Sequence, residues 1–167
     1  KNNWKTRFGL HYAALDFTDS ALRGGPMLKL PNSLDYNMNI SSNQSKKLQF
    51  NARAGQVKGA ENSFKRTSFS LGMTYVPFNS LNVSVSANVN SNEEELQYVT
   101  TQNSNLLGNN IPRYINASLN QDTFNLSLRL NYTLSPTMSI QYYGSPFISR
   151  GRYTNFKYIT NSLADKF

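Results

Sequence analysis

Apolar and polar residues alternate along most of this chain with a period of two. Residues 124–134 are the clearest case. Phe124, Leu126, Leu128, Leu130, Tyr132 and Leu134 are apolar, while Asn125, Ser127, Arg129, Asn131 and Thr133 between them are polar. Successive side chains of a strand point to opposite faces, so the pattern predicts a strand with one apolar and one wet face. Ser135-Pro136-Thr137 interrupts it, and Met138, Ile140 and Tyr142 resume it against Ser139 and Gln141. Proline cannot donate to a ladder and favours a tight turn, so a hairpin is expected.

The rest of the chain reads as the same unit repeated. Strand one sets Trp4, Thr6, Phe8, Leu10, Tyr12 and Ala14 against Lys5, Arg7, Gly9 and His11; a loop follows over residues 18–26. Strand two runs from Leu28 through Leu30, Leu34, Tyr36, Met38 and Ile40, with Lys29, Ser33, Asp35, Asn37 and Asn39 opposite. Strand three carries Leu48, Phe50, Ala52 and Ala54, and strand four Phe69, Leu71, Met73 and Tyr75. Strand five has Leu81, Val83, Val85, Ala87 and Val89, loosens over 90–95, and turns extended again at 96–99. An Asn-rich loop is expected over 102–112. The apolar set is odd-numbered at Ile115, Ala117 and Leu119 and even-numbered from Phe124, which predicts a bulge or turn near Gln121-Asp122. Turns near 43, 79 and 136 are short, and connections near 22, 60, 105 and 150 are longer. Hairpins in sequence put the two sets on opposite edges of one antiparallel meander.

A soluble β-sandwich also alternates, so composition has to discriminate. Only 16% of the 167 residues are charged, although the net charge is +8. Soluble surfaces carry about 25–35% charged residues. Here the polar face is Asn, Ser, Thr and Gln with scattered Arg and Lys, and Glu is missing from the clearly alternating stretches. Long strands, tight turns on one edge, long loops on the other and an amide-rich face match an outer-membrane barrel with a wet lumen. Trp4, Tyr36, Tyr75, Phe78 and Tyr132 are expected to form an interfacial girdle near the tight-turn edge. The expected fold is all-β: an antiparallel meander of long strands, a segment of a transmembrane outer-membrane β-barrel of a Gram-negative bacterium. No apolar run is long enough for a transmembrane helix. The absence of cysteine excludes disulfides and thiolate metal sites. Neither end reads as a natural terminus, so residues 1–167 are expected to be part of one larger barrel, with an N-terminal module and further strands missing. Residues 163–167 are not expected to form a closing strand.

Several segments carry a resemblance: Leu22-Arg23-Gly24-Gly25-Pro26, Glu95-Leu96-Gln97-Tyr98-Val99, Arg113-Tyr114-Ile115, Leu119-Asn120-Gln121-Asp122-Thr123, Gln141-Tyr142-Tyr143-Gly144-Ser145-Pro146-Phe147 and Gly151-Arg152-Tyr153. In order and spacing they resemble the C-terminal barrel of a Bacteroidota family catalogued as a domain of unknown function. In that family a module similar to family 9 carbohydrate-binding domains commonly precedes the barrel. The resemblance implies a link to carbohydrate handling and transfers no catalytic or glycan-binding residue.

Candidate chemistry is sparse. Lys5, Arg7, Lys29, Arg53, Arg66 and Arg129 fall on the polar face, with Asp35 the one carboxylate beside them in a clear strand. A lumen lined this way would favour anions. Tyr98, Tyr114, Tyr143 and Tyr153 are candidate surface-loop contacts for glycans, against the alternative of packing across the barrel mouth. His11 is the sole histidine, with no paired Asp or Ser signal, so it reads as structural. Glu93-Glu94-Glu95 lacks the alternating ligand spacing of a Ca²⁺ loop and reads as a solvated run. No metal site, cofactor or catalytic residue is expected. The basic residues are spread over several strands without a motif, which argues against nucleic acid. Expected partners are outer-membrane lipid and other outer-membrane or surface proteins. The expected role is transport or surface scaffolding. A barrel-borne hydrolase and a soluble β-sandwich binding module stay open as alternatives.

Overall fold

The structure is a computed structural model that describes residues 3–14, 17–106 and 109–164. Its strands are β1 (Lys5–Ala13), β2 (Phe17–Thr18), β3 (Leu28–Lys29), β4 (Ser33–Ser41), β5 (Leu48–Gly59), β6 (Phe64–Phe78), β7 (Leu81–Leu106), β8 (Asn109–Ser135), β9 (Met138–Gly144) and β10 (Phe147–Tyr158). The main sheet runs β1-β4-β5-β6-β7-β8, every pair antiparallel, and both β9 and β10 lie on the far side of β8. β2 and β3 make a separate two-residue ladder.

β9 and β10 are one strand interrupted once. Gly144 faces Leu128 and Phe147 faces Asn125, so three steps on one strand match three on the other. Pro146 has no N–H to give, yet its carbonyl accepts from Leu126 N–H at 3.1 Å and carries the ladder across the break.

The alternation holds across the whole wall. One row reads Phe8, Met38, Ala54, Phe69, Val89, Phe124 and Ile148, each opposite the next. The rows one residue away read Arg7-Asn39-Arg53-Ser70-Asn88-Asn125 and Gly9-Asn37-Gly55-Ser68-Asn90-Thr123. Among the described residues no second layer covers the apolar face: Phe8 is 76% exposed, Leu71 50% and Ile148 67%. The accessible surface is 11824 Å² for 18.9 kDa. A compact globular chain of that mass exposes about 8,300 Å². Among the described residues the buried apolar set is Leu22, Leu28, Ala117 and Leu119, too small for the core of a sandwich.

The apolar rows do not stay at one level. Along β1 and the residue just before it they extend four residues either side of the shared row, from Trp4 to Tyr12; on β8 they begin at the shared row and run ten residues below it, to Leu134. The centre of the band therefore slides by about five residues, about 17 Å along the strands. Five strand spacings cover about 24 Å, so the band crosses the strands at an inclination of about 35°.

Several elements differ from the sequence reading. Strand two splits, because Pro31 cannot donate; Lys29 thus sits in β3, off the polar face of the main sheet. The loop expected over 102–112 is instead a ladder: β7 and β8 stay paired to Leu106 and Asn109, with the tip, Leu107 and Gly108, outside the described residues. Asp165, Lys166 and Phe167 of the expected non-closing end also lie outside them. β8 runs unbroken through Gln121-Asp122; the register shifts fall between Glu94 and Gln97 and between Tyr98 and Thr100 on β7. Ala117 and Leu119 are apolar residues on the odd-numbered, polar face of an uninterrupted strand, and both are buried there. The connection near 60 is a short 3₁₀ turn (Ala60–Asn62), and β10 passes through 150 without a loop. Tyr36 belongs to the long-connection side with Tyr12, while Trp4, Tyr75, Phe78 and Tyr132 keep the tight-turn side. Phe78 and Tyr132 meet edge to face, with ring centroids 6.4 Å apart.

The connection from β1 to β4 ties the two sides of the wall together. It leaves beside β1, yet Arg23 lies over the Tyr98 ring at 5.5 Å, and Gly25 packs on the Tyr114 ring of β8. Lys29 N–H donates to the Ser162 carbonyl at 2.9 Å. β4 and β8 are four spacings apart, about 19 Å along the sheet. The loop turns at Arg23 (φ 47°) and Gly24 (φ 97°), a left-handed stretch that glycine tolerates freely. Leu22 beside it is fully buried.

Candidate functional site

The polar face lines a hollow of about 920 Å³. Asn37 and Gly55 are neighbours in its lining. Asn37 lies between Gly9 on β1 and Gly55 on β5, and a Cβ at Gly9 would stand 2.7 Å from Asn37 Oδ1. The amide occupies the space that a side chain at position 9 would need. On one side of this row are Arg7 and Arg53, separated by Asn39. Two strand spacings put their backbones about 10 Å apart. Among the described residues neither arginine has an ion pair or a side-chain hydrogen bond. On the other side the register sets His11 opposite Asp35, followed by Val57, Arg66, Asn92 and Gln121.

Arg66 differs from its two neighbours. Its Nη2 meets Glu94 Oε2 at 3.0 Å and its Nε donates to Asn92 Oδ1 at 3.0 Å. All three glutamates of 93–95 are paired rather than merely solvated: Lys65 reaches Glu93 at 3.4 Å, and Glu95 takes Lys157 at 3.6 Å and the Ser118 hydroxyl at 2.7 Å. Asp35 is therefore not the only carboxylate on the polar face; Glu94 shares it. These pairs are exposed, so each contributes about 0–1 kcal/mol; their larger effect is to cancel charge locally.

The six basic residues do not form one cluster. Arg7, Arg53 and Arg66 border the hollow. Lys5 lies one row toward the tight turns, opposite Ser41. Arg129 is further down that way, stacked on the Tyr143 ring at 5.4 Å. Lys29 lies in β3. The four tyrosines are in strands, not loops: Tyr98 in β7, Tyr114 in β8, Tyr143 in β9 and Tyr153 in β10. Tyr98 and Tyr114 carry the β1–β4 connection, Tyr143 lies under Arg129, and Tyr153 faces Leu119.

The His11–Asp35 pairing is invisible in sequence, because only the β1–β4 register brings the two together. No hydrogen bond joins them, and no serine hydroxyl is bonded to either among the described residues. A nucleophile–base–orienter constellation is thus incomplete here. Among the described residues no group of His, Cys, Asp and Glu could hold a metal ion. The hollow thus offers two guanidiniums without an ion pair among the described residues, the Asp35 carboxylate, several amides and hydroxyls, and the Arg66–Glu94 ion pair.

A family model described as Domain of unknown function (DUF5916) matches residues 1–163, and the chain belongs to that family. No curated protein and no solved structure matches it.

Proposed function

We propose that this DUF5916 chain is a wall of an outer-membrane β-barrel, with its apolar face on lipid and its polar face along an aqueous lumen. In this reading it serves as a transport or surface-scaffold component. The observation that carries the reading is the uncovered apolar face, slanted across its strands. Barrel strands tilt by about 35–45° from the membrane normal, so a level lipid band must cross them obliquely. The inclination of about 35° is what that geometry requires. The band has the right height as well. Phe69–Phe78, Leu81–Val89 and Phe124–Leu134 span eight to ten residue steps, or about 27–34 Å along the strands. Tilted by 40°, they cover about 21–26 Å, against an apolar barrel band of about 25 Å. Aromatics at both margins, with Tyr12 and Tyr36 on one side and Tyr75, Phe78 and Tyr132 on the other, supply interfacial girdles. No helix of the described residues is long and apolar enough to cross a membrane, so strands alone would do it.

Arg7 and Arg53 give the lumen a positive stretch that favours anionic solutes. The likeness to Bacteroidota barrels that follow a carbohydrate-binding-like module adds glycan-linked solutes or surface glycans as the natural clientele. Among the described residues the uncovered apolar face weighs against a soluble binding module, and the lack of any hydroxyl bonded to His11 or Asp35 weighs against a hydrolase centred there.

Single cysteines along β6 of the full-length protein in its membrane test the reading, since residues 1–167 contain none. Positions 68, 70 and 74 are expected to react with a water-soluble maleimide, and positions 69, 71 and 73 to stay protected while accessible to an acyl-chain spin probe. Uniform maleimide reactivity at all six would overturn it.

A further inference from the structure

The apolar face is grooved along β5. Ala52 and Ala54 form the floor, Ile40 and Met38 of β4 make one wall, and Leu71 and Phe69 of β6 the other. Two hollows of about 380 and 660 Å³ lie along this line. The next row toward the long connections is neutral and hydrogen-bonded: Tyr36 donates to Gln56, and Gln56 Nε2 donates to Thr67 Oγ1 at 2.9 Å. The row after that is Leu34, Lys58 and Lys65. Lys58 also borders a further hollow of about 440 Å³ with Tyr12, Leu34, Tyr36 and Glu61.

Lys58 and Lys65 are directly opposite across the β5–β6 ladder, where like charges repel. Glu93 answers Lys65 at 3.4 Å. Lys58 has no ion pair among the described residues, and Glu61 at the rim does not reach it. The groove thus ends in two ammoniums, and the one carboxylate paired with either, Glu93, lies on the far side of Lys65 from Lys58.

We propose that this groove holds one phosphate-bearing lipid, its acyl chain along Ala52 and Ala54 and its phosphate at Lys58 and Lys65. The proposal rests on the membrane reading and deepens it. Three successive rows offer an acyl chain, an ester region and a phosphate their own chemistry in the order in which a phospholipid presents them. Adjacent rows on one face are about 7 Å apart, so the lysines stand about 13 Å beyond Ala54. That offset leaves room for the glycerol and ester region over Gln56 and Thr67. The lysines explain why the headgroup should be anionic: Glu93 offsets the charge of Lys65 alone, and a phosphate at the pair supplies the counter-charge that Lys58 lacks among the described residues.

The test uses the full-length protein reconstituted in phosphatidylcholine vesicles, with spin-labelled phosphatidic acid or spin-labelled phosphatidylcholine as probe. The motionally restricted fraction should favour phosphatidic acid. That preference should fall about fivefold for each lysine removed in Lys58→Gln and Lys65→Gln. Lys47→Gln, at the tight-turn edge, should leave it unchanged. Ala54→Phe fills the groove without touching charge and should also abolish the selectivity. Insertion with equal restriction of both labels, or an equal loss in Lys47→Gln, overturns the lipid site alone. Failure to insert overturns the lipid site and the membrane reading together.

Discussion

Leu71→Arg is the sharpest single perturbation of the wall. Leu71 lies on β6 between Ala52 and Ala87, within the apolar rows that run from Phe69 to Phe78. It is half exposed, so packing against neighbours accounts for only half of its surface. If the uncovered half meets water, the substitution loses part of one leucine's burial, about 1 kcal/mol. If that half meets hydrocarbon, a guanidinium at mid-depth costs about 2–4 kcal/mol. The two cases differ most when compared with controls. Ser86→Arg places the same charge on the next strand but on the polar face, between Gly72 and Ser127, and should cost under about 0.5 kcal/mol. Tyr75→Arg, at the margin of the band, should lose the tyrosine's packing with only about 0–1 kcal/mol added for the charge. The assay is guanidinium unfolding of the full-length protein in phosphatidylcholine vesicles, read by tryptophan fluorescence. A charge cost that peaks at 71 and vanishes at 86 follows from the lipid assignment. Equal costs at 71 and 86 would refute it.

Other expectations are independent of that depth profile. Neutralising the two guanidiniums of the hollow that have no ion pair among the described residues, Arg7→Gln with Arg53→Gln, should shift the reversal potential in a salt gradient toward cation selectivity; an unchanged potential would remove them from the conduction path. Glu94→Gln should act in the opposite direction, because it frees Arg66 from its 3.0 Å partner. Gly25→Ala drives a Cβ to 2.6 Å from Tyr114 Cε1 and 2.8 Å from Leu22 Cβ, so residues 18–27 should become cleavable by added protease while the β content by circular dichroism is kept. Arg23→Ala should loosen the same connection more mildly, by about 0.5–1 kcal/mol for one exposed cation–π contact, read as a smaller gain in cleavage.

The strands themselves were legible because a period of two is a local property. Within each of the stretches Leu48–Ala54, Phe69–Tyr75, Leu81–Val89 and Phe124–Leu134, each residue's face follows from its parity. Legibility failed where distant segments meet. Ala117 and Leu119 look like a change of register in sequence, whereas in the structure two buried apolar residues sit on the polar face of a continuous strand. The Asn-rich stretch near 105 looked like a loop, because asparagine disfavours strands intrinsically, yet its backbone pairs across a hairpin whose register is already set further down. The candidate site suffered most. Lys5, Arg7, Arg53, Arg66 and Arg129 share one face by parity and by register, but parity does not tell that Arg66 is matched by Glu94 while Arg7 and Arg53 have no ion pair among the described residues. Lys29 was misplaced by parity counted through Pro31, where the strand in fact stops. His11 and Asp35 are 24 residues apart in sequence, and nothing local announces that they face each other.

The membrane reading makes one further demand, on the sheet's margins. β1 pairs on one side with β4, and β9 and β10 pair on one side with β8, so each margin carries a row of open N–H and C=O groups among the described residues. In water such an edge is tolerable. In hydrocarbon each unsatisfied group costs several kcal/mol, and open edges do not occur there. β1 crosses the band from Lys5 to Ala13, so about half of its nine amides point away from β4 at membrane depth. Both margins must therefore be paired in the membrane, either with each other or with strands beyond this wall. Hydrogen exchange of the full-length protein in vesicles tests this residue by residue. The alternate amides of β1 that face away from β4 should exchange as slowly as those that face it. In a water-exposed edge they would exchange orders of magnitude faster, in a strict every-second-residue pattern. Finding that pattern along β1 in the membrane-inserted protein would mean an open edge in hydrocarbon, which the energetics forbid, and the apolar face would then have to be covered by something other than lipid.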